Sequence, residues 1–116
     1  MTVKIWHNPR CSKSRQTLQL IRDHHVEPEV IEYLKTPPSA EELEDVLEAL
    51  GMQPRELMRK KEACYEELSL GDPSLRRQDL IRAMIDNPIL IERPVVLRGN
   101  RAILGRPPKI VLELLE

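Results

Sequence analysis

The stretch Val95-Val96-Leu97-Arg98-Gly99-Asn100-Arg101-Ala102-Ile103-Leu104 constrains the fold more than any other part of this chain. Two strand-forming runs flank Gly99-Asn100, and a two-residue loop of this kind turns with the twist that paired antiparallel strands require. An isolated hairpin is marginal in water, so it calls for further strands or helices to cover it. The first candidate lies at the other end of the sequence. Val3-Lys4-Ile5-Trp6 is short, β-branched and aromatic, and it runs into His7-Asn8-Pro9-Arg10, where Asn-Pro marks a loop. From Ser12 to about His24, Leu18, Leu20 and Ile21 recur at helical spacing, with Ser12 or Ser14 placed to cap the start. Glu29-Val30-Ile31-Glu32-Tyr33-Leu34 reads as a second strand. The opening is thus a β-loop-α-β unit whose two strands run parallel with a right-handed crossover.

Between the opening unit and the hairpin the pattern is helical. Thr36-Pro37-Pro38 breaks the chain, and Ser39 with Glu42 forms a capping box ahead of Leu43, Val46, Leu47 and Leu50. Gly51 suits the end of that helix. Pro54 opens a short helix carrying Leu57, Met58 and Arg59. A further piece runs through Tyr65 to Leu68 before Gly71-Asp72-Pro73 turns the chain, and Leu80, Ile81, Met84 and Ile85 mark a helix ending near Asn87-Pro88. Beyond the hairpin, Gly105-Arg106-Pro107-Pro108 leads to a closing helix over Ile110 to Leu115. The order βαβ, helices, ββα predicts one α/β domain over residues 1–116: a thioredoxin-like fold with a mixed four-stranded sheet and a helical insertion at about 39–87.

Composition narrows the partners. With 41% hydrophobic residues but 3% aromatics and no Phe, the core must be built from Leu, Ile, Val, Met and Ala, and the composition argues against a base-stacking single-strand binder. Eighteen Lys+Arg against 19 Asp+Glu leave a net charge of -1, which gives no global pull toward nucleic acid or an anionic membrane. No apolar run approaches the roughly 20 residues that span a bilayer, and the N-terminus shows no charged-then-apolar signal pattern, so a cytoplasmic location is expected. No long apolar pattern asks for a second copy, and a monomer is the default.

Two cysteines, Cys11 and Cys64, make neither a structural zinc site nor a disulfide framework. In a reducing compartment each is a packed residue or a reactive one. Cys11 stands where a loop feeds a helix N-terminus, between Arg10 and Lys13-Ser14-Arg15, in surroundings that favour a thiolate and offer no apolar packing. This pattern serves disulfide exchange, attack on an oxyanion or redox sensing equally well. Cys64, between Ala63 and Tyr65, reads as a packing or surface residue. His24-His25 point apart on a helix end and make no metal site, and Arg76-Arg77 read as a solvated helix face.

Several motifs recur in order along nearly the whole chain. They are His7-Asn8-Pro9 before Cys11, Ser14-Arg15 and Thr17-Leu18 after it, Tyr33-Leu34 with Pro37-Pro38, Leu57-Met58-Arg59-Lys60, and Tyr65-Glu66 with Leu68. The run Asn87-Pro88-Ile89-Leu90-Ile91-Glu92-Arg93-Pro94-Val95-Val96 and Gly105-Arg106-Pro107 complete the set. In these the chain resembles the glutaredoxin-dependent arsenate reductases, the ArsC-like branch of the thioredoxin superfamily, and its short YfgD-like relatives. The resemblance implies a catalytic Cys11 and an oxyanion held by Arg59, Arg93 and Arg106. Guanidinium groups suit that task, being planar, multi-donor and always charged. It implies further that His7 lies beside the thiol to tune it or carry protons, that Ser14 bonds near the thiolate, and that Arg93-Pro94 is a cis peptide bordering the site. No tightly bound cofactor is implied. Arsenate is the substrate, glutathione the co-substrate and glutaredoxin the protein that resolves the adduct, so one protein thiol suffices and Ser14 stands where a C-x-x-C enzyme has its second Cys. Where the family's reductases usually carry Gly after the nucleophile, this chain has Ser12-Lys13. Two other readings share the pattern: a redox-responsive regulator binding RNA polymerase, against which count the missing C-x-x-C pair and the presence of Arg106, and a general glutathione-dependent thiol reductase.

Overall fold

The computed structural model describes residues 2–115. The chain forms two compact units, one made from the segments up to Thr36 and from Arg93 onward, the other from Pro37–Glu92.

In the first unit a four-stranded sheet has the order β2-β1-β3-β4, with β1 at Val3–Trp6, β2 at Glu29–Ile31, β3 at Val95–Arg98 and β4 at Arg101–Leu104. β1 pairs in parallel with β2 and antiparallel with β3, and β3 pairs antiparallel with β4. This is the mixed α/β sheet expected from the sequence. Gly99 takes a positive φ of 63°, which the tight link between β3 and β4 requires at its first position and which glycine adopts without a steric penalty. Alternation along the strands puts Val3, Ile5 and Val96 on one face. There they form a core with Leu18 and Ile21 of helix α1 (Ser12–Asp23) and with Val111 and Leu114 of the C-terminal segment.

Three local expectations are revised. β2 stops at Ile31 rather than Leu34, because β1 offers it only Lys4, Ile5 and Trp6 as partners. Past that point Lys35 and Thr36 both donate N–H bonds to the Glu32 carbonyl and turn the chain. The closing helix begins as a 3₁₀ turn over Pro108–Val111 and continues as a short α-helix at Leu112–Leu115. The N-cap of α1 is Cys11 itself, not Ser12 or Ser14. Ser14 is drawn inward by polar partners described below.

The second unit is helical. α2 (Ala40–Leu50) has the expected capping box, Ser39 N–H donating to Glu42 Oε1 at 3.0 Å and Glu42 N–H to Ser39 Oγ at 3.1 Å. It ends at Gly51 with φ of 67°. α3 (Ala63–Glu67) is a single turn and a half, and α4 (Arg77–Asp86) packs on α2. Leu43, Val46, Leu47, Leu80, Ile81 and Met84 are buried. A short antiparallel bridge joins Met58 to Ile91, with Arg59 N–H donating to the Leu90 carbonyl and Glu92 N–H to the Leu57 carbonyl, both at 2.7 Å. Among the described residues no helix is long and apolar enough to cross a membrane.

Candidate active site

After β1 the chain must leave the sheet and enter α1 within a few residues, and the polar residues of this loop hold it in place. The Asn8 carbonyl accepts the Cys11 N–H at 3.0 Å, and its Oδ1 accepts the Arg10 N–H at 3.0 Å. Arg15 Nη1 donates to the Pro9 carbonyl at 2.9 Å. Cys11 has extended backbone angles (φ -95°, ψ 122°), accepts the Arg15 N–H on its carbonyl, and spends no side-chain bond on capping. Its sulfur therefore stands at the positive end of a helix with no acidic residue in the first turn. Cys11 is partly exposed, as a nucleophile must be.

The same loop and the first turn of α1 hold a buried polar pair. His7 Nδ1 and Ser14 Oγ are 2.6 Å apart, and Ser14 Oγ also accepts the Asn8 N–H at 3.0 Å. Ser14 is wholly buried, His7 and Asn8 nearly so. Burial lowers the His7 pKa below its ordinary 6.5, against the pull of Glu32 and with the help of Arg22 and Arg15. At neutral pH His7 is therefore an uncharged imidazole, able to take up a proton.

Arg93 and Arg106 belong to the same unit as Cys11. Both Arg93-Pro94 and Arg106-Pro107 are cis; the first agrees with the resemblance, the second was not anticipated. Arg106 Nη1 donates to the Arg93 carbonyl at 3.3 Å, so the two arginines meet at the open end of the hairpin, just beyond the Val95–Leu104 pair. Gly105 N–H donates to the Pro94 carbonyl at 3.0 Å. The Gly105 carbonyl in turn lies 3.3 Å from the Thr17 hydroxyl of α1. The chain of contacts runs from the helix that Cys11 begins to both arginines.

Arg59 belongs to the second unit, where its guanidinium is ion-paired with Glu62 and, at 3.8 Å, with Glu92. Cys64 is half-buried on α3. Asn8, Thr17 and Gly105 make contacts around this loop and hairpin that sequence reasoning passed over. Asn8 showed as a loop marker and a letter of a motif, and Thr17 and Gly105 only as letters of a motif.

The family model described as the ArsC family matches residues 6–114. The chain belongs to the ArsC family. An uncharacterized protein, YfgD, of Escherichia coli K12 is 58% identical over 113 residues, covering 97% of this chain and 95% of that protein. The arsenate reductase of Rhizobium meliloti is 48% identical over 115 residues, covering 99% of this chain and 82% of its own length. Among solved structures, the arsenate reductase from Vibrio cholerae superposes with a TM-score of 0.94 at 50% identity, covering 97% of each chain. The loop, helix and hairpin that carry Cys11, Arg93 and Arg106 all fall inside these matches.

Proposed function

We propose that this ArsC family member is an arsenate reductase of the glutathione- and glutaredoxin-dependent kind, with Cys11 as its nucleophile. The observation that carries the reading is the arrangement in the first unit: a partly exposed Cys11 at the N-cap position of α1 whose thiol makes no capping bond, and two arginines linked to each other and, through Gly105, to that helix. Relatives and a structural neighbour that bear the name arsenate reductase support it.

In the reaction, a tetrahedral oxyanion binds at the first-turn amides of α1 and the guanidinium groups of Arg93 and Arg106, which bear its charge over several oxygens. The resemblance adds Arg59 as a third guanidinium. The Cys11 thiolate forms a bond to arsenic(V), and one arsenate oxygen leaves as water after taking protons. Neutral His7, backed by Ser14, is the group that holds or hands on a proton. Glutathione displaces a second oxygen as water, and the arsenic then carries both sulfurs. A glutaredoxin thiolate attacks the glutathione sulfur, the electron pair of the arsenic–sulfur bond stays on arsenic, and arsenic(V) becomes arsenic(III) as a mixed disulfide forms. Water displaces Cys11 from arsenic(III), so arsenite leaves and the thiolate returns. Only one protein cysteine enters this cycle, in keeping with Ser14 at the place of a second Cys.

The test is arsenate-dependent NADPH oxidation with glutathione, glutathione reductase and glutaredoxin. Wild type and Cys64→Ser turn over; Cys11→Ser does not, and Arg93→Ala, Arg106→Ala and Arg59→Ala lose oxyanion turnover while Cys11 is still alkylated. No turnover by wild type, with rapid alkylation of Cys11, would reject arsenate and direct the search to other oxyanions, glutathionylated proteins or a regulatory partner.

A further inference from the structure

We propose that Thr17 is a positioning residue for oxyanion recognition, its side chain fixing Gly105, and through Gly105 the loops that carry Arg93 and Arg106, against the helix begun by Cys11. The inference rests on the oxyanion reading of this site.

Thr17 is a polar residue with no exposed surface. Its single hydroxyl proton faces two carbonyls, Lys13 one turn back in α1 at 2.8 Å and Gly105 at 3.3 Å. The first contact is the ordinary way a threonine in a helix is satisfied; the second reaches across to the end of β4 and adds nothing to the helix. The fit around Gly105 has no slack. A Cβ there would come within 2.6 Å of Thr17 Oγ1, 2.9 Å of Thr17 Cγ2 and 2.8 Å of Pro94 Cγ, so absence of a side chain is what allows the approach. The Gly105 N–H is spent on the Pro94 carbonyl at 3.0 Å.

The consequence follows from chain order. Arg106 comes directly after Gly105 and Arg93 directly before Pro94, and Arg106 Nη1 closes the ring on the Arg93 carbonyl. One buried side chain of α1 thus references both guanidinium-bearing segments to the helix that aims the thiol. Anion recognition by arginine depends on fixed geometry, and a misplacement near 1 Å lowers rates by about 100-fold in other enzymes.

The experiment compares Thr17→Val, which keeps the branched shape without the hydroxyl, with Thr17→Ser, which keeps the hydroxyl without the methyl, in the full chain. Arsenate kcat and KM, Cys11 alkylation without oxyanion, and hydrogen exchange over residues 104–107 are measured on each. The expected result is a KM raised about tenfold in Thr17→Val, unchanged alkylation, faster exchange at 104–107, and KM restored to within about threefold of wild type in Thr17→Ser. A lower melting temperature in Thr17→Val with wild-type KM would overturn the proposal and leave Thr17 a packing residue. Equal KM increases in both variants would overturn the role of the hydroxyl, and this arm stands even where Thr17→Val folds poorly. Wild type that neither turns over arsenate nor is protected by arsenate or phosphate against alkylation would overturn the oxyanion reading itself. Exchange at 104–107 would then still decide separately whether Thr17 holds the loop, wild-type exchange in Thr17→Val counting against it.

Discussion

At the scale of residues, the first unit concentrates its buried polar groups at one place: His7, Asn8, Ser14 and Thr17 all lie in or just after the loop between β1 and α1. Burying hydroxyl and imidazole groups is costly unless each finds a partner, and here the partners tie the loop to the helix. One consequence can be measured through pH. Because the folded protein holds the His7 pKa below 6.5, the unfolded chain binds this proton first as pH falls. The contribution of neutral His7 to stability is complete above about 6.5, shrinks as pH drops below that value, and stops changing once pH passes the folded pKa. Urea denaturation between pH 7.5 and 5 is expected to show wild type losing stability more steeply than His7→Gln; parallel slopes would mean that His7 is not buried as described. The place of Cys11 at the start of α1 was legible because its signal is local: a loop, a helix start and neighbouring cations. Thr17 and Gly105 were not, since their contact joins positions 88 apart in sequence, and neither residue type announces such a partner.

Elements defined by short-range chemistry were the most readable. The hairpin turn, the Ser39–Glu42 box and the stop at Gly51 each depend on residues within four positions of one another, and each is present. β2 was overextended because its length is set by β1, across the sheet, and nothing in Glu32-Tyr33-Leu34 records that. Two glycines at element ends illustrate different requirements. Gly51 has φ of 67° and open space around its missing Cβ, so Gly51→Ala meets only the backbone penalty of the left-handed region, about 1–2 kcal/mol. Gly105 has no positive φ but is hemmed in by Thr17 and Pro94, so Gly105→Ala meets overpacking instead, about 1–3 kcal/mol. Chemical denaturation separates them: adding Thr17→Ala is expected to recover part of the loss at Gly105 and none at Gly51. No recovery at Gly105 would place the obstruction on Pro94 alone.

Over the whole molecule, the fold class and the helical stretch between the two parts of the sheet were readable from the order of elements. The meeting of Arg93 with Arg106 follows from the hairpin register that pairs Val95 with Leu104, whereas their link to α1 depends on the Thr17–Gly105 contact, which no pattern in the sequence records. The pairing of β1 with β3 is likewise long-range, and it is testable. Trp6, the only tryptophan, is 2% exposed in β1, and β1 has β3 along one edge. A fragment ending at Glu92 lacks β3 and β4 and is expected to show red-shifted Trp6 fluorescence without a cooperative thermal transition. Native-like emission from that fragment would show that the opening β-loop-α-β segment folds without its hairpin.

The strand order β2-β1-β3-β4 also bears on how the chain is made. Synthesis delivers Cys11 and β1 well before the strand that covers β1, so on the ribosome the thiol at position 11 emerges ahead of Arg93 and Arg106. Until Arg98 has emerged, β1 presents an unpaired edge, and Cys11 stands without Arg106. A nascent chain in that state offers oxidants a free thiol and offers its neighbours a strand edge. Stalled or truncated products should therefore be lost to aggregation or mixed disulfides rather than persist as weak enzymes.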